Sequence, residues 1–313
     1  MRAFIVKISI YSILFLAIIT VVGKLLEKQR ADKLIFHPQL RWQEFHSTPK
    51  NSIDVIFIGS SHCCRSFVPK IIDKRLGVNS FNLGSSSQSI FTSYFVLKEA
   101  LEFQSPNIIV FEVFNGTFQV SENESFVDLM YNYDYFKSDN VKKEVKLSLS
   151  LNKNIEMLFP AYRYNHNLNL LLKSPGVNAD KLENSKYSHK GYVETDLPSD
   201  YYKANVLNVS AINSKKINEQ QLVYFQKVVD LLQQKNINLL LITQPSHPDI
   251  YKQTKHLKQN LFLKDLADKN ELVYFNFSEN DILTAGDYYD AHHLNKVGAE
   301  KFSHMVCDTL TKN

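Results

Sequence analysis

Five short apolar runs, separated by segments with helical periodicity, constrain the fold of this chain more than any other feature. The runs cover residues 53–58, 79–83, 107–112, 238–243 and 272–276. Helices are predicted at about 67–76, 94–103, 218–235 and 254–269, and from about residue 295 onwards. Strands and helices alternating at this length predict an α/β fold, a three-layer sandwich with a parallel sheet between helices. Ligands of such a sheet bind at the carboxyl ends of its strands.

The N-terminus carries a longer apolar segment. Residues 4–22 contain a single charged side chain, Lys7, and are numerous enough to cross a bilayer core as a helix. No Ala-x-Ala-like cleavage site follows, which favours an uncleaved anchor over a signal peptide. The sequence therefore predicts a cytoplasmic tip and transmembrane anchor at 1–28, a stalk or first surface helix at 29–50, and one globular domain at 51–313.

The orientation of this anchor is open on charge alone. More basic residues follow the span than precede it. By the positive-inside rule, this distribution would place the globular domain in the cytoplasm. Anchors with a short N-terminus commonly export the remainder of the chain nevertheless. We therefore expect a single-pass cell-membrane protein with its globular domain on the extracytoplasmic side.

Composition excludes several classes of protein. The formal net charge of +4 is spread along the chain and is too small to indicate nucleic-acid binding. Cys63 and Cys64 are adjacent and Cys307 has no obvious mate, so a disulfide-built scaffold is excluded. No CxxC or Cys/His spacing suggests zinc.

The alternation is lost between about residues 117 and 215. This stretch is rich in Tyr, Asn, Lys and Ser and has one clear helical candidate, around 151–173. It is too long for a loop in a compact domain and is predicted to be an inserted cap or subdomain. Its composition suits a surface that stacks on sugars, and it is equally typical of Asn/Lys-biased bacterial sequence.

Ser61 is the candidate nucleophile. It follows Gly59 and Ser60 directly after the first apolar run, where a tight turn would expose its hydroxyl. Ser60 is the nearest competitor, and His62 is interpreted as a loop histidine. Gly-Ser-Ser is a weak motif by itself, because such loops often serve only as turns.

Asp290 and His293 supply what a serine nucleophile needs. A serine hydroxyl is too weak an acid to attack an ester unaided, so an imidazole base and a carboxylate that orients it are required. Their spacing near the start of the last helix lets Asp290 accept a hydrogen bond from His293, while His292 should point elsewhere. A capping Asp beside surface histidines is the structural alternative. A metal site built on these three residues lacks a fourth ligand at suitable spacing.

These two blocks resemble the SGNH, or GDSL-like, hydrolase superfamily, which carries Gly-x-Ser after the first strand and Asp-x-x-His near the C-terminus. Ser60 stands where many members have Asp. The resemblance implies a flavodoxin-like α/β fold and a catalytic triad of Ser61, His293 and Asp290. The Gly-Ser-Ser form, the anchor and the interrupted middle are similar to membrane-anchored acylesterases and O-acyltransferases of the bacterial envelope, such as the D-alanyl transfer proteins.

The resemblance also implies an oxyanion hole, and here the sequence departs from the family. In the family, a glycine that follows an Asn-x-Gly run donates its backbone N–H to the oxyanion. In this chain the run ends at Gly84 and Ser87 follows it, so Gly84 and Ser87 are the candidate backbone donors. An Asn side chain is expected after the third strand. Asn115 is the candidate, although the preceding glycine is missing and the register is one residue short. Gln244 and His247, after the fourth strand, are candidate substrate contacts, or simply parts of a Pro-flanked turn.

The sequence thus predicts a serine esterase or O-acyltransferase acting on an acylated envelope glycan or similar polymer, with no metal or organic cofactor. Whether water or a sugar hydroxyl resolves the acyl-enzyme is open. The alternative is a catalytically decayed SGNH-fold protein that binds glycan or acts as a scaffold. A peptidase or lipase lacks support, because neither Gly-x-Ser-x-Gly nor an apolar lid is evident.

Overall fold

A computed structural model describes residues 1–28, 38–163, 185–196, 216–254 and 259–311. The predicted cap or subdomain at 117–215 lies partly outside these residues, as do 29–37 of the predicted stalk. Within them, seven strands are, in chain order, β1 (Val55–Ile58), β2 (Ser80–Asn82), β3 (Ile108–Glu112), β4 (Ser185–His189), β5 (Tyr192–Thr195), β6 (Asn238–Thr243) and β7 (Val273–Asn276).

The helices of the described residues are, in chain order, α1 (Arg2–Lys28), α2 (Pro38–Ser47), α3 (Ser61–Ser66), α4 (Pro69–Leu76), α5 (Ile90–Phe103), α6 (Glu122–Tyr133), α7 (Asp139–Ser148), α8 (Leu151–Leu158), α9 (Pro160–Arg163), α10 (Glu219–Gln234), α11 (Pro248–Thr254), α12 (Gln259–Lys269) and α13 (Lys296–Leu310). Short 3₁₀ helices form at Asn115–Gln119 and Ala285–Asp287.

The five predicted strands form one parallel sheet in the order β2-β1-β3-β6-β7. The predicted α/β fold class is therefore confirmed. Strand order reverses between β1 and β3, so the loops that follow these two strands diverge and leave a crevice at the carboxyl edge. The β4–β5 hairpin is a separate antiparallel pair.

Side chains of β1 alternate between two cores. Ile56 and Ile58 join a cluster with the aromatic side chains of α2 and α5, whereas Val55 and Phe57 join a second cluster with α4 and α13. This two-sided burial is the reason that the strand reads as a continuous apolar run.

Helix α2 lies in the region predicted to be a stalk or first surface helix, but several of its side chains are buried in the globular body. Trp42 and Phe45 are fully buried in the core, and Arg41 beside them is buried with them. Arg41 donates hydrogen bonds to Gly84 O and to Asn132 Oδ1, which offsets the cost of burying its charge. Residues 38–47 are therefore part of the globular body.

Two other local predictions differ from the structure. His62, expected in a loop, is a buried residue of α3. Asp290 and His293 lie in the loop before α13, whose N-cap is Asn295.

Helix α1 is the one described helix with the length and hydropathy of a membrane span. Arg2–Leu26 has a mean hydropathy of 2.5 and is not buried against the body in its most apolar window.

Candidate active site

The loop after β1 holds Ser61 at the crevice. Gly59 has φ +149, and a Cβ there would lie 2.8 Å from Glu112 Cβ, so only glycine fits both the backbone conformation and the space. Ser60 then caps α3 by accepting a hydrogen bond from His62 N. Ser61 is the first residue of α3, and its backbone N–H has no acceptor among the described residues.

Ser61, His293 and Asp290 form a continuous hydrogen-bonded chain. Ser61 Oγ lies 2.8 Å from His293 Nε2, and His293 Nδ1 lies 2.8 Å from Asp290 Oδ2. The second carboxylate oxygen accepts hydrogen bonds from the backbone N–H groups of His292 and His293, both at 2.8 Å. The Asp290 side chain therefore organises its own loop and fixes the imidazole edge that faces it.

The electrostatics keep His293 neutral and Asp290 ionised. Burial lowers the pKa of His293 to about 4, and the nearby His62 ring adds to this effect, while the hydrogen bond to Asp290 opposes it. Burial raises the pKa of Asp290, but hydrogen bonds from His293 and from two backbone N–H groups outweigh burial and hold that pKa well below its usual range. A neutral imidazole next to a hydroxyl can accept its proton.

His292 is not part of this chain of hydrogen bonds. Its ring lies 6.2 Å from that of His293, and burial lowers its pKa to about 4. The ring of Tyr289 stacks on His293 at 5.4 Å, and the Arg65 guanidinium lies 5.1 Å from the Tyr289 ring. The reactive imidazole is thus packed on one side by an aromatic ring.

Two backbone N–H groups could hold an oxyanion. Ser87 has φ +51, a left-handed conformation in which glycine is favoured, and its N–H has no acceptor among the described residues. Ser87 and Ser61 line the same cavity. Ser87 and Ser61 can therefore each present an N–H group without breaking an existing hydrogen bond.

Gly84 and Asn115 are the other two residues predicted as oxyanion donors. The Gly84 N–H already donates to Asn82 Oδ1 at 3.0 Å, and a Cβ on Gly84 would lie 2.6 Å from Cys63 Cβ, so this glycine serves the packing of α3. Asn115 is not among the residues that line the cavity, and its buried Oδ1 has no hydrogen-bond partner among the described residues. The donor role expected of the Asn115 side chain stays a prediction.

The cavity beside Ser61 has a volume of about 250 Å³. Its lining is more apolar than polar, and hydroxyl and amide groups together with the Glu124 carboxylate supply the polar part. Its lining residues are Ser60, Ser61, Ser87, Gln88, Phe114, Gly116, Thr117, Val120 and Glu124. Such a cavity is smaller than typical sites for drug-sized ligands and suits a short acyl group.

Gln244 and His247 are buried rather than exposed to this cavity. Gln244 accepts a hydrogen bond from Ser66 Oγ at 2.6 Å and donates to His292 O at 2.5 Å. It thereby ties α3 to the loop that carries His293. His247 packs against Tyr288, and its Nδ1 accepts from the backbone N–H of Asp249. Both residues therefore make structural contacts in this fold, and their role as substrate contacts stays a prediction.

Sequence reasoning missed Glu112 at the end of β3. Its buried carboxylate oxygen Oε2 accepts hydrogen bonds from Ser60 N at 2.9 Å and from Ser60 Oγ at 2.8 Å. The other oxygen lies 3.5 Å from His62 Nδ1. A charged residue at the end of an otherwise apolar strand was the available signal, and the structure shows that it fixes the loop next to the nucleophile.

Comparisons with known proteins give the following similarities. A protein-family model without a descriptive name matches residues 199–313, and no curated protein matches the chain. A GDSL-like lipase from Bacteroides thetaiotaomicron is 11% identical with a TM-score of 0.42, over 87% of this chain and 98% of its own. An acetyl xylan esterase from Butyrivibrio proteoclasticus is 9% identical with a TM-score of 0.32, over 85% and 65%. A family two carbohydrate esterase from Clostridium thermocellum, solved as an active-site mutant, is 8% identical with a TM-score of 0.37, over 85% and 65%.

One of these structures is named as a GDSL-like lipase, the name of the superfamily that the Gly-x-Ser and Asp-x-x-His blocks resemble. Membership of this chain in that superfamily stays a prediction, and so does the subtype, an anchored protein of envelope acylation. The chemistry of the site follows from this chain's own geometry.

Proposed function

We propose that this protein is a membrane-anchored serine esterase or O-acyltransferase of the SGNH type, acting on a short acyl ester of an envelope glycan or similar polymer. The observation that carries the proposal is the hydrogen bond between Ser61 Oγ and His293 Nε2 at 2.8 Å, backed by Asp290. Ser61 and His293 are 232 positions apart in the sequence. Their contact gives the hydroxyl–imidazole–carboxylate arrangement that nucleophilic acyl transfer requires.

In the proposed reaction, Ser61 Oγ attacks the acyl carbonyl carbon while His293 Nε2 takes the hydroxyl proton. Asp290 stabilises the imidazolium that forms, and the N–H groups of Ser61 and Ser87 donate to the carbonyl oxygen as it becomes negative. His293 then returns the proton to the leaving alcohol oxygen, which leaves an acyl-Ser61 ester. Water or an acceptor hydroxyl, deprotonated by the same imidazole, releases the acyl group and restores Ser61.

The cavity supports a short acyl group and a polar acceptor. Its volume of about 250 Å³ suits a short acyl group, and Ser87 and Glu124 bring polar groups to its lining that can hydrogen-bond to sugar hydroxyls. The apolar span α1 supports an anchored enzyme. An ester substrate at the cell surface is the class compatible with both features.

The full-length protein in detergent should release acetate from p-nitrophenyl acetate and from acetylated oligosaccharides. Ser61→Ala and His293→Ala should each lower turnover by about 1,000-fold or more, because the triad acts as a unit. His292→Ala is the matched control, since this neighbouring imidazole makes no contact with Ser61 Oγ. Equal rates for the wild type and Ser61→Ala would refute the proposal.

A second candidate function is a glycan-binding or scaffold protein with a decayed site. The absence of Asn115 from the residues that line the cavity favours it, because loss of one oxyanion donor costs about 100- to 1,000-fold in turnover. Oligosaccharide binding by the Ser61→Ala variant, together with no turnover by a well-folded wild type, would support this candidate instead.

A further inference from the structure

One face of helix α8 and the segments beside it expose an unusual set of large apolar side chains. Leu151, Ile155 and Leu158 recur at helical spacing and are 75%, 47% and 72% exposed. Leu147 at the end of α7, together with Phe159 and Tyr162 around the start of α9, extends the same exposed set. We refer to these six residues as the apolar patch.

The opposite sides of α7 and α8 are fixed to the globular body. Val141 and Val145 of α7 are buried in the main core, and Met157 of α8 packs against it. Lys153 pairs with Glu156, and its ammonium lies 4.7 Å from the ring of Phe126. The apolar patch is therefore presented outward by anchored helices, as expected of an amphipathic surface that meets an apolar environment.

The apolar patch lies next to the candidate membrane span. Helix α9 contacts both α8 and α1. The residues of α1 that are buried or half-buried, Ile19, Gly23 and Leu26, recur at helical spacing in its last third. The contact with α9 therefore lies near the end at which the span would leave the bilayer.

The basic and aromatic residues around the apolar patch are of the types that contact lipid headgroups. Lys143 and Lys146 are exposed on α7, where they can meet anionic headgroups. Phe159 and Tyr162 are aromatic residues of the kind enriched at the boundary between headgroups and acyl chains. An amphipathic helix with apolar residues on one face and basic residues nearby is typical of insertion in the plane of the interface.

We propose that the apolar patch is a second membrane contact, in which α8 lies in the plane of an anionic bilayer beside the exit point of α1. The contact holds the globular body close to the membrane at a fixed tilt instead of leaving it on a free tether. The crevice that contains Ser61 then keeps a constant height above the lipid. The inference depends on α1 spanning the bilayer and is independent of the chemistry assigned to Ser61.

Fluorescence quenching in reconstituted full-length protein tests this contact. Leu158→Cys and Leu261→Cys are labelled separately with bimane, since both leucines are exposed, at 72% and 61%, and Leu261 lies outside the apolar patch. The native cysteines Cys63, Cys64 and Cys307 are buried, so the introduced thiol reacts first. The protein is placed in nanodiscs of phosphatidylcholine and phosphatidylglycerol that contain lipids with a nitroxide on the acyl chain. Iodide serves as the quencher in water.

The label at position 158 should be quenched by the nitroxide lipids at least threefold more than the label at 261, and correspondingly less by iodide. A Leu14→Cys label within α1 should respond to the lipid quencher as the reference for full insertion. Leu151→Glu combined with Leu158→Cys should lower lipid quenching at 158, with an unchanged melting temperature in detergent.

Equal iodide quenching at 158 and 261 would overturn the proposal and would assign the apolar patch to a protein partner or to solvent. A Leu14 label outside the lipid would overturn it too. Reaction of Ser61 with a fluorophosphonate probe on the same samples reports on the enzyme separately, so failure of one proposal is distinguishable from failure of the other.

Discussion

Lowering the pH tests the electrostatic environment of His293. Burial lowers the pKa of this imidazole from 6.5 to about 4, and the triad needs it neutral in order to accept the Ser61 proton. Turnover should therefore stay constant as the pH falls from 8 to about 5 and should decline only as the pH approaches 4. An imidazole with an ordinary pKa would give a decline that begins near pH 6.5.

The difference between the two cases is large at pH 5. With a pKa of about 4, about 90% of His293 is neutral at this pH, whereas with a pKa of 6.5 about 3% would be, which is a difference of about 30-fold in kcat/KM. The assay is acetate release from p-nitrophenyl acetate, measured by chromatography after quenching, so that ionisation of nitrophenol does not distort the result. Circular dichroism at each pH confirms that the protein is folded.

Substitution of His62 tests its contribution to the low pKa of His293. The His62 ring lies 5.0 Å from that of His293 and contributes to the lowering of its pKa, so His62→Gln should move the acid limb to higher pH. The same shift is not expected for substitutions of histidines far from the site, such as His304→Gln. A wild-type acid limb centred near pH 6.5 would refute the view that burial controls the base.

Three further predictions concern the oxyanion donor, the loop before the nucleophile and the stability of the fold. Ser87→Gly and Ser87→Ala should keep turnover within about threefold, because the proposed donor is a backbone N–H; a loss of about 100-fold would show that the hydroxyl is needed instead. Glu112→Ala leaves the buried Ser60 N–H and O–H groups without an acceptor and should lower the free energy of unfolding, measured in urea, by about 2 kcal/mol. Glu112→Gln keeps an acceptor and should lose much less, so equal losses for the two variants would contradict the role of Glu112 as the acceptor for Ser60. Burial lowers the pKa of both His292 and His293 to about 4, so the unfolded chain binds more protons below pH 6.5 and the free energy of unfolding should fall between pH 6.5 and 4. Replacing both histidines with Gln should flatten this dependence, and an undiminished slope would contradict it.

The sheet was predictable because four of its strands, β1, β2, β3 and β6, are mostly buried on both faces, whereas the edge strand β7 is partly exposed. A parallel strand between two helical layers has no solvent side, so it appears as a continuous apolar run with ends correct to about two residues, as for Asn238–Thr243. Helix α2 was not predictable in this way. Its buried Trp42 and Phe45 are separated by polar residues, and Arg41 is buried beside them with hydrogen bonds to Gly84 and Asn132, which are far away in sequence.

The candidate site was predictable where short motifs have a fixed local geometry. Asp290 and His293 are three residues apart, so their contact depends on one loop, and Ser61 follows directly from the end of β1. The oxyanion donors depend on longer loops. The Gly84 N–H already donates to Asn82 Oδ1, and Asn115 is the first residue of a 3₁₀ helix that follows β3. Glu112 and Gln244 act through partners that are far away in sequence. The charge of Glu112 at the end of an apolar strand marks it as unusual, but no local pattern identifies those partners.

The most direct test of the central claim is the site of reaction with a fluorophosphonate. After treatment of the full-length protein at pH 7, peptide mass spectrometry should find one phosphonyl group on Ser61, and His293→Ala should abolish the reaction while His292→Ala retains it. Modification of Ser60 or Ser87 instead of Ser61, or no modification of a folded protein, would contradict the claim that His293 activates Ser61.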